Sequence, residues 1–272
     1  MKKIVQKLIN NILRVDNNEE LYYNYTMSSD ILSLSDDHVF YTVEGEGKYV
    51  GWPSVFMRLA MCNLTCQGFA SEDSPHGCDS FISWSIKNRY TYDELNNFYE
   101  NNGFDKELKR GALLKITGGE PLLQQKRLLS WMDTFVERFG FIPNIDFESN
   151  STLKPLDRWY DDFNAKFTLS PKMSNNGDPE KRRYKPDVIA HHNSKGECFK
   201  FVISNEEDEK ELFEKYIDIG IVDRENVWLM PCAGSRDEHT AKSAMVANLC
   251  KKHNFKFSPR LQLVIWDMAL KV

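Results

Sequence analysis

The sequence lacks any stretch approaching the roughly 18 consecutive apolar residues that span a membrane, so no membrane partner is expected. It also lacks a basic excess. Thirty-five Lys and Arg stand against 40 Asp and Glu, a formal net charge of −5, and nothing in that balance points to a nucleic-acid partner. A secretory leader is not expected either. The opening MKKIVQKLINNILRV starts with two lysines, but Gln6, Lys7, Asn10 and Asn11 interrupt its apolar residues, and no small-residue cleavage site follows. The cytoplasm is therefore the expected compartment. Internal repeats and low-complexity tracts are missing as well. What remains is an ordinary globular composition, 272 residues of which 41% are hydrophobic, enough for one large domain or two small ones.

Six cysteines in a chain expected to live under reducing conditions need a reading other than disulfides. Cys198, Cys232 and Cys250 are scattered and read as small buried hydrophobes. Cys62, Cys66 and Cys78 cluster, and clustered cysteines in such a setting bind metal or react.

Residues 3–15 place Ile4, Leu8, Ile12 and Val15 at helical spacing, an amphipathic helix. With the polar, irregular residues that follow, 1–37 read as an N-terminal extension and 38–272 as the main domain. From Val39 the pattern alternates strand and helix. Strands are expected at Ser54–Leu59, Leu113–Ile116, Ile145–Phe147, Phe167–Leu169, Cys198–Ile203, Val227–Met230 and Leu261–Trp266. Helices are expected at Tyr92–Asn101 with Thr91 as N-cap, Leu128–Phe139, Glu206–Tyr216 and Thr240–His253. Residues 174–186 read as an exposed polar loop. This alternation predicts an α/β domain with a mainly parallel sheet, whose sites gather at the carboxyl ends of strands.

Cys62 and Cys66 form a C-x3-C pair, and Cys78 follows after an eleven-residue insert. Three thiolates hold three irons of a [4Fe–4S] cluster and leave the fourth iron open to a ligand, such as the amino and carboxylate groups of S-adenosylmethionine (SAM). With His76, however, the same cysteines make a Cys3His set suited to a structural zinc ion. These four residues alone do not separate the two readings. About fifty residues downstream, Thr117-Gly118-Gly119-Glu120-Pro121 ends a predicted strand. Paired glycines there let the backbone approach a ligand closely, and Glu120 is placed to face a cationic amine. The combination favours the cluster.

With these motifs in order the chain resembles the radical SAM superfamily, and within it the 7-carboxy-7-deazaguanine synthases. Glu44-Gly45-Glu46-Gly47 is similar to the family's QGEG stretch, Val55–Ala60 before Cys62-Asn63-Leu64 to FVRLAGCNL, and Cys78-Asp79-Ser80 to CDT. Thr117–Pro121 matches TGGEP, Glu148–Thr152 resembles ETNGT, and Leu169–Lys172 resembles VSPK. Lys200-Phe201-Val202, Leu229-Met230-Pro231 and Arg260-Leu261 follow in order. The resemblance implies a partial, incomplete TIM-like barrel and a ring contraction of 6-carboxy-5,6,7,8-tetrahydropterin to 7-carboxy-7-deazaguanine with loss of ammonia. Its cofactors would be a [4Fe–4S] cluster, SAM and Mg2+, and its electron donor a flavodoxin or ferredoxin; family members are often homodimers.

Residue by residue, the resemblance implies Cys62, Cys66 and Cys78 as cluster ligands. It puts Gly118, Gly119, Glu120, Ser170 and Lys172 at SAM, Ser80 at magnesium with Asp79 behind it, and Glu44, Gly45, Glu46, Arg58 and Thr117 at the pterin. An arginine suits the substrate carboxylate because its fork donates two parallel hydrogen bonds. The chain departs from the pattern in four places. The second cysteine gap is long and leaves Gly77 before Cys78, with Phe69 as a stand-in for the usual aromatic residue. Glu44 replaces a glutamine, Met61 a glycine, and Gln262 a histidine. Two other readings stand beside this one, a glycyl-radical activase and a zinc-stabilised binding protein.

Overall fold

A computed structural model describes residues 30–66, 77, 78, 80, 81, 85 and 87–267. The helix expected over 3–15 lies outside the described residues, as do Phe69, His76 and Asp79.

The described residues build one nine-stranded sheet in the order β3-β1-β2-β4-β5-β6-β7-β8-β9. Its strands are β1 (Ile31–Val43), β2 (Pro53–Leu59), β3 (Asn88–Thr91), β4 (Leu113–Gly118), β5 (Asn144–Ser149), β6 (Lys166–Leu169), β7 (Cys198–Ile203), β8 (Val227–Pro231) and β9 (Lys256–Phe257). β1 runs antiparallel to β2 and β3, and every pairing from β2 to β9 is parallel. Parallel neighbours need crossovers, which helices supply. They include α1 (Tyr92–Asn101), α2 (Phe104–Lys109), α3 (Gln125–Phe139), α4 (Arg158–Asp161), α5 (Glu180–Arg183), α6 (Pro186–Asn193), α7 (Glu206–Leu212), α8 (Arg236–His253) and α9 (Leu261–Trp266). Thr91 caps α1 as expected, in a reciprocal pair with Glu94 that satisfies two backbone donors.

Side chains alternate across each strand, and here the two faces differ in kind. Val55, Met57 and Leu59 of β2, Leu114 and Ile116 of β4, Ile145 and Phe147 of β5, and Phe199 and Phe201 of β7 join the hydrophobic core. That core continues into Leu128, Trp131, Met132 and Phe135 of α3. The residues between them carry Arg58, Lys115, Thr117, Asp146, Glu148, Thr168 and Lys200 to the opposite, inner face. One face therefore holds the fold together and the other carries chemistry.

Three expectations are corrected. β1 starts at Ile31, inside the stretch read as irregular, because Leu32 and Leu34 are fully buried in the core. Residues 174–186 are not an exposed loop: they contain a turn of 3-10 helix at Ser174–Asn176 and α5, and they bury Asn176, Asp178 and Arg183. Their polar groups bond to one another and to the cysteine loop, so burial leaves them satisfied. Leu261–Trp266 is helix, not strand. Val264 and Ile265 are 46% and 48% exposed, and only Leu263 is buried, so the apolar run marked no core strand. A short apolar run does not by itself distinguish strand from helix, and the last strand is β9.

Candidate active site

The cysteine loop leaves the carboxyl end of β2 and is fixed to the turn after β4 by backbone contacts. Gly119 N–H donates to Leu59 O at 3.0 Å, and Glu120 N–H to Met61 O at 2.9 Å. A Cβ at Gly118 would lie 2.1 Å from Leu59 O, and one at Gly119 would lie 1.9 Å from Met61 O. The paired glycines are thus required by the cysteine loop itself, whose backbone occupies the space a side chain would need. Met61 pays for the same closeness with a φ of 76°, in the left-handed region that disfavours a side chain. We expect Met61→Gly to raise folding stability by about 1 kcal/mol, read as a higher midpoint in urea; an unchanged or lowered midpoint would show that Met61 is unstrained.

All six cysteines are free thiols. Burial pushes the Cys62 thiol far above the ordinary range, and Glu120, Cys66 and Cys78 push the same way while the Leu64 N–H opposes them. Such a thiol loses its proton to solvent only when a cation bound beside it stabilises the thiolate. Among the described residues no three Cys, His, Asp or Glu side chains converge on a single-ion site. Cys62, Cys66 and Cys78 all lie in the segment between β2 and β3. Side-chain amides donate to two of the sulfurs, Asn150 to Cys62 at 3.9 Å and Asn176 to Cys66 at 3.1 Å.

Glu120 is fully buried, and its carboxylate accepts from Leu122 N–H, Ser149 Oγ and Asn150 N–H. Burial raises it to about 7 against those donors and Lys172. These donors tie the carboxylate to the turn that carries it. Ser170 and Lys172 follow β6 and touch each other, Lys172 Nζ donating to Ser170 Oγ at 2.8 Å; Ser170 N–H bonds to Ser149 O at 2.7 Å. Ser80 lies in the turn closed by Phe81 N–H to Cys78 O at 3.1 Å.

The pterin candidates divide. Arg58 and Thr117 are register partners on β2 and β4. The Arg58 guanidinium sits 4.9 Å from the centre of the Phe40 ring, which stacks on Phe56. Gly45 and Glu46 arrive from the opposite end, because β1 is antiparallel and the loop after it starts where β2 begins. This loop crosses the inner face: Gly47 N–H donates to Ser258 Oγ at 2.8 Å, and Leu261 N–H to Gly45 O at 2.9 Å. Glu46 is gripped by Lys200, by Arg260 Nε at 2.9 Å and by Gln262 Nε2 at 2.7 Å. Burial works against its charge, but Lys200 and Arg260 outweigh it and hold the carboxyl far below the usual range. Lys200 also bonds to Glu148 at 2.6 Å, and Thr117 Oγ1 donates to Glu148 at 3.2 Å. Lys200 and Lys115 overcome burial at Glu148 and hold it at about 2.

Glu44 borders this cluster of polar groups from a buried position. It is buried against Lys115 Nζ at 2.9 Å, and Lys115 also meets Asp146 at 2.6 Å. Its Oε1 accepts the Glu46 N–H at 3.0 Å, so Glu44 shapes the turn that presents Glu46. Burial raises both Glu44 and Asp146 despite the lysine, while the surrounding acids hold Lys115 well above its ordinary value.

Lys115, Asp146, Glu148, Lys200, Arg260, Gln262, Asn150 and Asn176 were not among the expected site residues. A signal for four of them existed: Lys115 in LLKIT, Asp146 and Glu148 in NIDFES and Lys200 in CFKFVI alternate with apolar residues and so mark the second face of a strand.

No family model matches the chain. Comparison with known proteins nonetheless finds full-length relatives. The chain is 30% identical to the 7-carboxy-7-deazaguanine synthase of Hyperthermus butylicus over 235 residues, 84% of this chain and 90% of that one. The chain belongs to the 7-carboxy-7-deazaguanine synthase family. It is also 29% identical to the synthase of Pyrobaculum aerophilum over 240 residues, 85% of this chain and 94% of the relative. The synthase of Halobacterium salinarum shares 26% identity over 263 residues. The crystal structure of QueE from Escherichia coli superposes with a TM-score of 0.58 at 18% identity, covering 89% of this chain and 98% of that one. The fold is thus the unclosed, mostly parallel α/β barrel of the radical SAM type, with β3 and β9 as its edges. Among the described residues no helix is long and apolar enough to cross a membrane.

Proposed function

We propose that this chain is a radical SAM lyase that converts 6-carboxy-5,6,7,8-tetrahydropterin to 7-carboxy-7-deazaguanine with release of ammonia, a step of queuosine-type 7-deazaguanine biosynthesis. The observation that carries the reading is family membership over 84% of the chain. It is supported by the placement of Arg58, Thr117 and Glu148 near the carboxyl ends of β2, β4 and β5, the end from which the cysteine loop leaves β2.

Cys62, Cys66 and Cys78 hold the [4Fe–4S] cluster, and the backbone of Gly118, Gly119 and Glu120 with Ser170 and Lys172 holds SAM. Together these groups, when bound, supply the carbon radical that takes a hydrogen from the substrate. Arg58 faces the substrate carboxylate with a two-pronged hydrogen-bonding fork. Thr117, Gly45, Glu46 and Glu148 meet the polar edge of the pterin. Glu46 remains ionised through Lys200 and Arg260, and Glu148 through Lys200 and Lys115, so both act as acceptors. Glu44 acts from behind, through the Glu46 turn. Ser80 supplies a hydroxyl for Mg2+, a flavodoxin or ferredoxin supplies the electron, and the working form is a cytoplasmic homodimer.

Anaerobic reconstitution with iron and sulfide tests the reading directly. It predicts a brown protein whose reduced cluster changes its paramagnetic resonance spectrum on adding SAM, and a His76→Ala variant that keeps the cluster. A colourless zinc protein that loses its metal on His76→Ala would contradict it. Arg58→Lys keeps the charge but loses the fork. We expect pterin binding to weaken by about 1.5–3 kcal/mol, read as a raised KM with SAM affinity unchanged; an unchanged KM would remove Arg58 from the carboxylate.

A further inference from the structure

The segment after β6 buttresses the cysteine loop through a chain of hydrogen bonds with one possible polarity. Asn176 is 4% exposed. Its Oδ1 accepts the Asp178 N–H at 2.8 Å, which fixes the orientation of the amide. The NH2 end therefore has two hydrogens to place. One goes to Asp178 Oδ2 at 3.0 Å and the other to Cys66 Sγ at 3.1 Å. Asp178 in turn accepts from Thr65 N–H and Thr65 Oγ1, each at 2.9 Å, next to Cys66 in the chain. Arg182 closes the contact by donating to Asn63 O at 2.8 Å. Asn176 is thus a rigid donor aimed at one sulfur, standing between that sulfur and a buried carboxylate.

We propose that Asn176 raises the reduction potential of the iron–sulfur cluster by donating an N–H to the Cys66 sulfur, a positioning and tuning role that rests on Cys66 being a cluster ligand. Adding an electron places more negative charge on the ligand sulfurs. A donor fixed on such a sulfur stabilises the reduced state, and a nearby carboxylate opposes it. Asn176 and Asp178 therefore act on the potential in opposite directions, although they lie in one hydrogen-bonded unit. A SAM-cleaving cluster must accept its electron from a donor of limited reducing power, so a hydrogen bond that raises the potential makes that reduction more favourable.

The test is a mediated redox titration of reconstituted full-length protein, followed by paramagnetic resonance, with iron and sulfide content measured on each sample. Asn176→Leu removes the donor at similar volume. Its reduction should become about tenfold less favourable, a downward shift of ~59 mV for one electron. Asn176→Asp, closer in shape, removes the donor and adds charge, and should shift the potential further down. Asp178→Asn removes the opposing charge and should shift it up. Opposite shifts at full cluster content support the proposal. An unchanged potential in both Asn176 variants overturns it. So does a shift of the same sign in the Asn176 and Asp178 variants, which would mark general loosening and solvent entry. A wild-type protein that takes up no [4Fe–4S] cluster overturns the underlying reading of Cys66 instead.

Discussion

Replacing Lys115 with methionine is expected to cost about 3–5 kcal/mol of folding stability at pH 8. Lys115 is 1% exposed and lies between Glu44 and Asp146, themselves 3% and 0% exposed. Removing it leaves two carboxylates in a site that water does not reach, with no cation beside them among the described residues: Glu44 keeps the Glu46 N–H at 3.0 Å and Asp146 keeps Thr168 Oγ1 at 2.9 Å. The pH dependence follows from the direction of the shifts. Burial already raises both carboxyls above their unfolded values, and losing Lys115 raises them further. The folded variant then holds protons that the unfolded chain has released. Its stability is therefore greatest below the unfolded carboxyl pKa and is lost as pH rises through the higher folded values. The deficit against wild type should shrink at pH 5 and grow at pH 8. Glu44→Gln in the Lys115→Met background should recover part of the loss, since a single buried carboxylate remains. Urea unfolding of the reduced apoprotein measures all of this. A cost under about 1 kcal/mol at pH 8, or a deficit independent of pH, would contradict the account.

Cys66→Ala should abolish SAM cleavage, by roughly a thousandfold or more, because the three cysteines act as one unit and the loss of any member removes most of its effect. Iron content should fall as well, since two thiolates hold a cluster poorly. Cys250→Ala is the matched control. Cys250 is buried against the core, with its thiol donating to Lys256 O at 3.5 Å, and its loss should leave iron uptake and SAM cleavage at wild-type levels. Native cleavage by Cys66→Ala protein would remove that residue from the cluster.

Much of this architecture was legible because the signals were local. The run LLKITGGEP reads as strand then turn, and β4 starts at Leu113 as expected and runs two residues beyond Ile116, to Gly118. CFKFVI reads as a buried strand, and β7 occupies those six residues. The failures were of another kind. Leu261–Trp266 is apolar without being core, and burial is a property of the assembled fold that a short run does not reveal. The polar segment 174–186 looked solvated because its partners, Thr65 and Cys66, lie more than a hundred residues away. The pairing of Glu44 with Lys115 was equally hidden, since nothing nearby in sequence announces Lys115 as its partner. The cysteine triad and the paired glycines were visible as chemistry, but the contact between Gly119 and Met61 that explains both is tertiary.

The measurement that bears most directly on the central claim is product formation. The purified chain, reconstituted without oxygen, is incubated with dithionite, SAM, Mg2+ and 6-carboxy-5,6,7,8-tetrahydropterin, and the mixture is analysed by mass spectrometry. The account predicts 7-carboxy-7-deazaguanine, with both the product and its dependence on SAM lost in Cys66→Ala protein. A cluster-loaded protein that cleaves SAM to 5′-deoxyadenosine yet leaves the pterin unchanged would contradict it.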